Sequence, residues 1–260
     1  MGMLAQGLDG DFYGTAVSGG LYKGGTIFKI TPNGAFTLLY TFPSNNDPSE
    51  NGLILASDGN FYGASGQGFY RITSQGIYTQ LPGLNGSPNS FIQGSDGNLY
   101  GSTQTGGQYG YGFLFQTTLS GQSTNVYSFL GYPKDGSVPL AGLVQYTDGK
   151  FYGTTFSGGP ATCNYGRYPG CGTIFSLDMG LAPFVTFVNR AARLGQRFGI
   201  LGQGFTGTTN ISLNGTPASF TVNSDTLIVA TVPTGATAGL VTVSAPGGML
   251  TSSESFYVIP

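Results

Sequence analysis

One phrase recurs four times along this chain: Asp9-Gly10-Asp11-Phe12-Tyr13-Gly14, Asp58-Gly59-Asn60-Phe61-Tyr62-Gly63, Asp96-Gly97-Asn98-Leu99-Tyr100-Gly101 and Asp148-Gly149-Lys150-Phe151-Tyr152-Gly153. The copies stand 49, 38 and 52 residues apart. Repetition at that period predicts small sheet units, each burying an apolar face against its neighbour. An apolar residue opens a short strand five residues before each Asp: Leu4, Leu53, Phe91 and Leu143. Asp-Gly between apolar strands signals a hairpin, and the expectation here is a type I′ turn at Asp9-Gly10, Asp58-Gly59, Asp96-Gly97 and Asp148-Gly149. Adjacent strand residues point to opposite faces, so the Phe or Leu and the following Tyr reach two neighbouring sheets at once.

A third strand follows a glycine-rich link in every copy, as in Gly25 to Ile30, Gly68 to Ile72, Gly112 to Gln116 and Gly172 to Leu177. A fourth is legible in three copies, at Thr37 to Phe42, Ile77 to Leu81 and Asn125 to Phe129. Four strands in about 40 to 50 residues is the size of a propeller blade. The fold class expected is therefore all-β: a propeller-like array of four short blades, over residues 3–51, 52–89, 90–140 and 141–181. From Ala182 the texture changes to seven short alternating strands in residues 182–260, the pattern of an immunoglobulin-like sandwich. Asn214-Gly215 marks one of its hairpin corners. With 46 glycines and 14 prolines, helix is expected to be nearly absent.

The repeats resemble the GloVer tandem repeat through Gly94 to Thr103, Gly24 to Ile30 and Leu38 to Phe42. That family occurs in large bacterial secreted or surface proteins, and the resemblance implies a propeller-like fold without implying an activity. The last eighty residues resemble the IPT/TIG domain through Gly202-Gln203-Gly204-Phe205, Asn214 to Ala218, Val232-Pro233 and Phe256-Tyr257-Val258. In bacterial surface proteins such domains serve as spacers or adhesion modules.

Charged residues make up only 8 % of the chain and the net charge is −2, which argues against nucleic acid and against an anionic membrane surface as partners. No apolar run reaches the roughly 20 residues of a membrane helix. The sequence begins inside a repeat, from which a leader and earlier repeats upstream are expected. The two cysteines, Cys163 and Cys171, share one insertion between Gly158 and Gly172, and a local disulfide and an extracellular or cell-surface location are expected of them.

Histidine is absent, which removes Ser-His-Asp and Cys-His systems. The repeated Asp residues read as turn residues rather than a cation site, because Lys150 stands where a ligand would be needed. No metal and no cofactor is expected. Asp47, Glu50 and Asp135 lie in comparable inter-blade loops, where a pair could serve a glycosidase at about 5 to 10 Å separation. Tyr22, Tyr109, Tyr111, Tyr165 and Tyr168 occupy equivalent loops and are candidates for a saccharide-stacking platform. From these features the chain is expected to be a non-catalytic extracellular binding or structural module and not an enzyme, with partners among further copies of itself or extracellular polysaccharide. Self-association would use strand edges left open by the fourth copy. The alternative is a lectin-like or carbohydrate-active propeller built on the tyrosines and loop carboxylates.

Overall fold

The computed structural model describes residues 4–44, 48, 52–82, 88–166 and 168–259. Among them there is no helix. The chain divides into two compact units: Met1–Val144 with Tyr152–Ser176, and Gln145–Phe151 with Leu177–Pro260.

The first unit is a propeller-like array. Blade 1 is a four-stranded antiparallel sheet of Ala5–Gln6, Phe12–Ala16, Thr26–Ile30 and Phe36–Thr41, in chain order. Blade 2 repeats it with Ile54–Leu55, Phe61–Ser65, Gly68–Ile72 and Tyr78–Gln80, and blade 3 with Pro88–Gln93, Leu99–Thr103, Phe113–Thr117 and Ser123–Ser128. Blade 4 has three strands, Val144–Gln145, Phe151–Thr154 and Ile174–Leu177. Thr186–Phe187, the next strand in the chain, pairs with Arg197–Leu201 in the second unit.

The Asp-Gly turns are not type I′. In the first copy Gly10 N donates to Gly7 O (3.0 Å) and Gly7 N to Asp11 O (2.8 Å), which encloses a three-residue loop. Only its last residue has positive φ, +85° at Gly10, while Asp9 does not. This is a type I turn closed by a left-handed glycine. The other three copies repeat it, with Gly59, Gly97 and Gly149 at +79°, +84° and +93°. Asp therefore serves as an acceptor rather than as a left-handed residue. Its Oδ1 takes the amide two residues on: Asp11 at 3.2 Å, Asn60 at 3.1 Å, Asn98 at 3.2 Å and Lys150 at 2.9 Å.

The tyrosine four residues after each Asp explains why the copies write Tyr where they allow Phe or Leu just before it. Tyr13 Oη donates to Asp9 Oδ2 (2.6 Å), Tyr62 to Asp58 (2.8 Å) and Tyr100 to Asp96 (2.8 Å). The three rings are fully buried between blades. Tyr13 stacks on Phe61 of blade 2 with centroids 4.0 Å apart, and Tyr40 of blade 1 stacks on Tyr78 of blade 2 at 4.0 Å. Phe69 of blade 2 meets Phe91 and Phe115 of blade 3 edge-on, and Phe129 meets Phe175 of blade 4. Each apolar core of the array is thus shared by two consecutive blades.

The second unit is built on two four-stranded antiparallel sheets. One contains Thr186–Phe187, Arg197–Leu201, Leu227–Thr231 and Phe220–Ser224; the other contains Thr216–Pro217, Asn210–Leu213, Val241–Ala245 and Gly248–Thr251. Ala191–Arg193 and Tyr257–Ile259 add a parallel pair. Phe198, Ile200, Phe205, Ile211, Leu213, Ile228, Val241, Val243 and Phe256 share one buried core. Here Asn214 and Gly215 both have positive φ, 46° and 83°, as a type I′ turn requires. The fourth Asp-Gly turn belongs to this unit because Thr147 O accepts from Phe184 N (3.0 Å) and Thr147 Oγ1 from Gln203 Nε2 (3.0 Å).

Candidate functional site

The link between the second and third strands of a blade is held by its glycines. In blade 3, Gly112 N donates to Gly106 O (3.1 Å) and Phe129 N to Gly112 O (3.0 Å), so the loop tip carrying Gln108, Tyr109 and Tyr111 is anchored at both feet. Gln108 N also donates to Ser128 Oγ (3.1 Å) on the last strand of the blade. Between this loop and that strand lies an open groove of about 470 Å³, lined by Gln108, Tyr109, Asn125, Val126, Tyr127, Ser128 and Leu130.

Tyr109, Tyr127 and Leu130 are exposed. The Tyr127 hydroxyl donates to Asp135 Oδ2 (2.7 Å), which also accepts from Leu130 N (3.1 Å), while Gly136 N donates to Asp135 Oδ1 (2.7 Å). A carboxylate has about four lone-pair sites, so one remains for a ligand hydroxyl. The hydrogen bond to Asp135, followed by burial, pushes the Tyr127 phenol up to about 12. Tyr127 therefore stays neutral at physiological pH. The Tyr111 ring lies over Gly131, 2.7 Å from where a side chain there would begin, which favours glycine beneath it.

The structure brings together only part of the expected tyrosine platform. Tyr109 is in the groove, and Tyr111 stands beside it on the same loop. Tyr22 is exposed on the equivalent loop of blade 1 but does not line the groove. Tyr165 and Tyr168 pair across a short hairpin through their backbones, and their side chains lie outside the described residues. Asp47 and Glu50 also lie outside the described residues, so of the loop carboxylates only Asp135 is placed. A disulfide joins Cys163 to Cys171. Among the described residues, no cluster of His, Cys, Asp or Glu is arranged to hold a metal ion, and no helix is long and apolar enough to cross a membrane.

Tyr127 is the wall residue that sequence reading missed. Its signal was present: Tyr127 stands two residues before Phe129, the counterpart of Phe42 and Leu81 in the other blades. Only the fold shows that Asp135 comes back to meet its hydroxyl.

No protein-family model matches the chain, and no curated protein matches it. Several solved structures are similar. A gluconolactonase from Xanthomonas campestris shares 13 % identity at a TM-score of 0.46, over 95 % of this chain and 84 % of its own. A catalytically inactive virginiamycin B lyase from Staphylococcus aureus shares 16 % at 0.45, over 98 % and 80 %. A streptogramin B lyase shares 14 % at 0.43, over 95 % and 90 %. At these identities and TM-scores the likeness assigns no activity to this chain. The expectation of a non-catalytic module that is not an enzyme is not kept, since these three similar chains are named as enzymes.

Proposed function

We propose that this chain is an extracytoplasmic, carbohydrate-active propeller, an enzyme that seats a saccharide in the groove between Tyr109 and Tyr127. The observation that carries the reading is the pairing of two exposed tyrosine rings with one rim carboxylate. Sugar rings present apolar faces and hydroxyl edges, and tyrosine offers an apolar body with a polar tip. In this reading Asp135 accepts a hydrogen bond from a sugar hydroxyl and is the candidate base. The Cys163–Cys171 disulfide supports an oxidising compartment. A GloVer-type lineage for the repeats, and an IPT/TIG-like identity for the C-terminal unit, belong to the same proposal and are supported by the motifs quoted above.

The chain has no tryptophan, so its intrinsic fluorescence comes from tyrosine and reports directly on ring stacking. Titration with a panel of oligosaccharides and polysaccharides should quench it. Tyr109→Ala and Tyr127→Ala should each weaken binding about tenfold, equivalent to ~1.4 kcal/mol of lost stacking. Product release should accompany binding and disappear in Asp135→Asn. Binding unchanged in both tyrosine variants would move the site elsewhere, and binding without turnover would remove the enzymatic half of the proposal.

A further inference from the structure

The repeat makes the same junction between consecutive blades, and its two halves are distinguishable. One face of each blade carries the third-strand residue Ile27, Phe69, Leu114 or Ile174. In blades 1 to 3 that residue is at most 2 % exposed, Ile27 and Phe69 sharing their clusters with the next blade; Ile174 of blade 4 is 83 % exposed. The opposite face carries the innermost-strand residue Leu4, Leu53, Phe91 or Leu143. In blades 2 to 4 it is at most 7 % exposed, Leu53 and Phe91 sharing their clusters with the preceding blade; Leu4 of blade 1 is 54 % exposed.

The neighbouring positions follow the same rule. Val144 and Tyr152 are exposed beside Ile174, whereas Tyr13, Tyr62 and Tyr100 are fully buried. Phe36 and Leu38 are exposed beside Leu4, with Phe36 stacked on Phe28 of its own blade at 5.4 Å. Among the described residues, both outer sides of these four blades therefore present apolar faces of the type that the internal junctions bury. The faces are not copies of one another. They are the two complementary halves of one junction.

We infer that a second copy of this chain docks head to tail on the array, the blade 4 face of one copy covering the blade 1 face of the next. The internal junctions supply the template: a ring from the preceding blade stacked on an apolar residue of the following one, as Tyr13 is stacked on Phe61. Because the halves differ, the contact is heterologous, and successive copies build a ring or an open filament rather than a two-fold dimer. The contact runs through blade faces, not through the strand edges from which the sequence suggested association. It is independent of the saccharide groove.

Light scattering of the full chain over a wide concentration range tests this, with variants that charge one face at a time. Unmodified chain should rise with concentration to at least twice the single-chain mass. Ile174→Glu, which blocks only the tail, and Leu38→Glu, which blocks only the head, should each stay at single-chain mass. Mixed one to one, they should form a two-chain species, because each retains the half the other has lost. Val144→Lys and Phe36→Glu repeat the test if either first variant loses its circular dichroism. A single-chain mass for the unmodified protein at every concentration would overturn the inference. So would a mixture that stays at single-chain mass, or single variants that associate as the parent does.

Discussion

The two units bury their apolar side chains by different routes. In the C-terminal unit, Phe198, Ile200, Ile211, Ile228, Val243 and Phe256 meet in one core closed by the unit's own sheets. Among the described residues, no blade of the array has a core of its own. Tyr13, Ile27 and Phe42 of blade 1 are buried only with Leu53, Phe61, Tyr70 and Ile72 of blade 2, and the next cluster belongs equally to blades 2 and 3. A closed core is complete with a fixed number of strands. A shared core passes its unmet half along the chain, and among the described residues Leu4 and Ile174, on the outer faces of blades 1 and 4, are exposed.

The comparison is broken most directly by truncating one core residue in each unit. Phe61→Ala and Phe198→Ala should each cost about 3 to 5 kcal/mol. Hydrogen exchange should show the first loss concentrated in blades 1 and 2 and the second spread through the whole C-terminal unit. Equal spread in both cases would show that the array behaves as a single closed core.

A smaller contrast lies within the array. Tyr62→Phe removes a hydrogen bond to a carboxylate and should cost about 1.5 kcal/mol in urea unfolding. Tyr70→Phe should do the reverse and stabilise by about 1 kcal/mol, because the buried Tyr70 hydroxyl has no hydrogen-bond partner among the described residues. Phe28, Phe115 and Phe175 already occupy the corresponding place in the other blades. Loss of stability in Tyr70→Phe would mean that its hydroxyl is satisfied in solution.

The smallest effect is on pH dependence. Burial would raise the Asp9 and Asp58 carboxyls, but hydrogen bonds from Tyr13, Asn60, Tyr62 and backbone amides, with the charges of Lys29 and Arg71, outweigh it and hold both low. A carboxyl lowered in the folded state contributes stability above its unfolded value and loses it as pH falls, so acid loss should begin below about pH 4. Tyr13, Tyr62 and Tyr100 are raised, by burial first and then by the carboxylate each one faces. A raised phenol contributes fully below about pH 10 and loses its contribution as pH rises through the folded value. Alkaline loss should therefore fall on the array, and unfolding at pH 11 that struck the C-terminal unit first would contradict it.

Much of the array was legible because a repeat prints its own alignment. Four copies located the Asp-Gly turns, the alternation of the Phe-Tyr pair and the shorter link of blade 2, where Gly66 and Gln67 alone join two strands. The turn type was misread, since type I with a closing glycine and type I′ both accept Asp-Gly, and only the sign of φ at Asp separates them. At Asn214-Gly215 the same reasoning met a true left-handed pair, within a hairpin whose short return strand is Thr216–Pro217. Of the site, Tyr109 was visible as a loop aromatic and Asp135 as a loop charge, yet nothing in their spacing joined them to Tyr127. The hydrogen bond between Tyr127 and Asp135 depends on where the chain returns after Phe129, which no local pattern encodes.

By itself, the amino-acid sequence determined the period, the turn positions and the faces on which aromatic residues fall, because these follow from alternation and from local backbone preference. The tertiary structure decided where each face finds cover. Thr186–Phe187 went to the second unit rather than to blade 4, Tyr127 met Asp135, and Leu4 and Ile174 stayed exposed where their counterparts are buried. Those outcomes depend on contacts between distant segments, and identical repeats differ in burial only through what lies beside them.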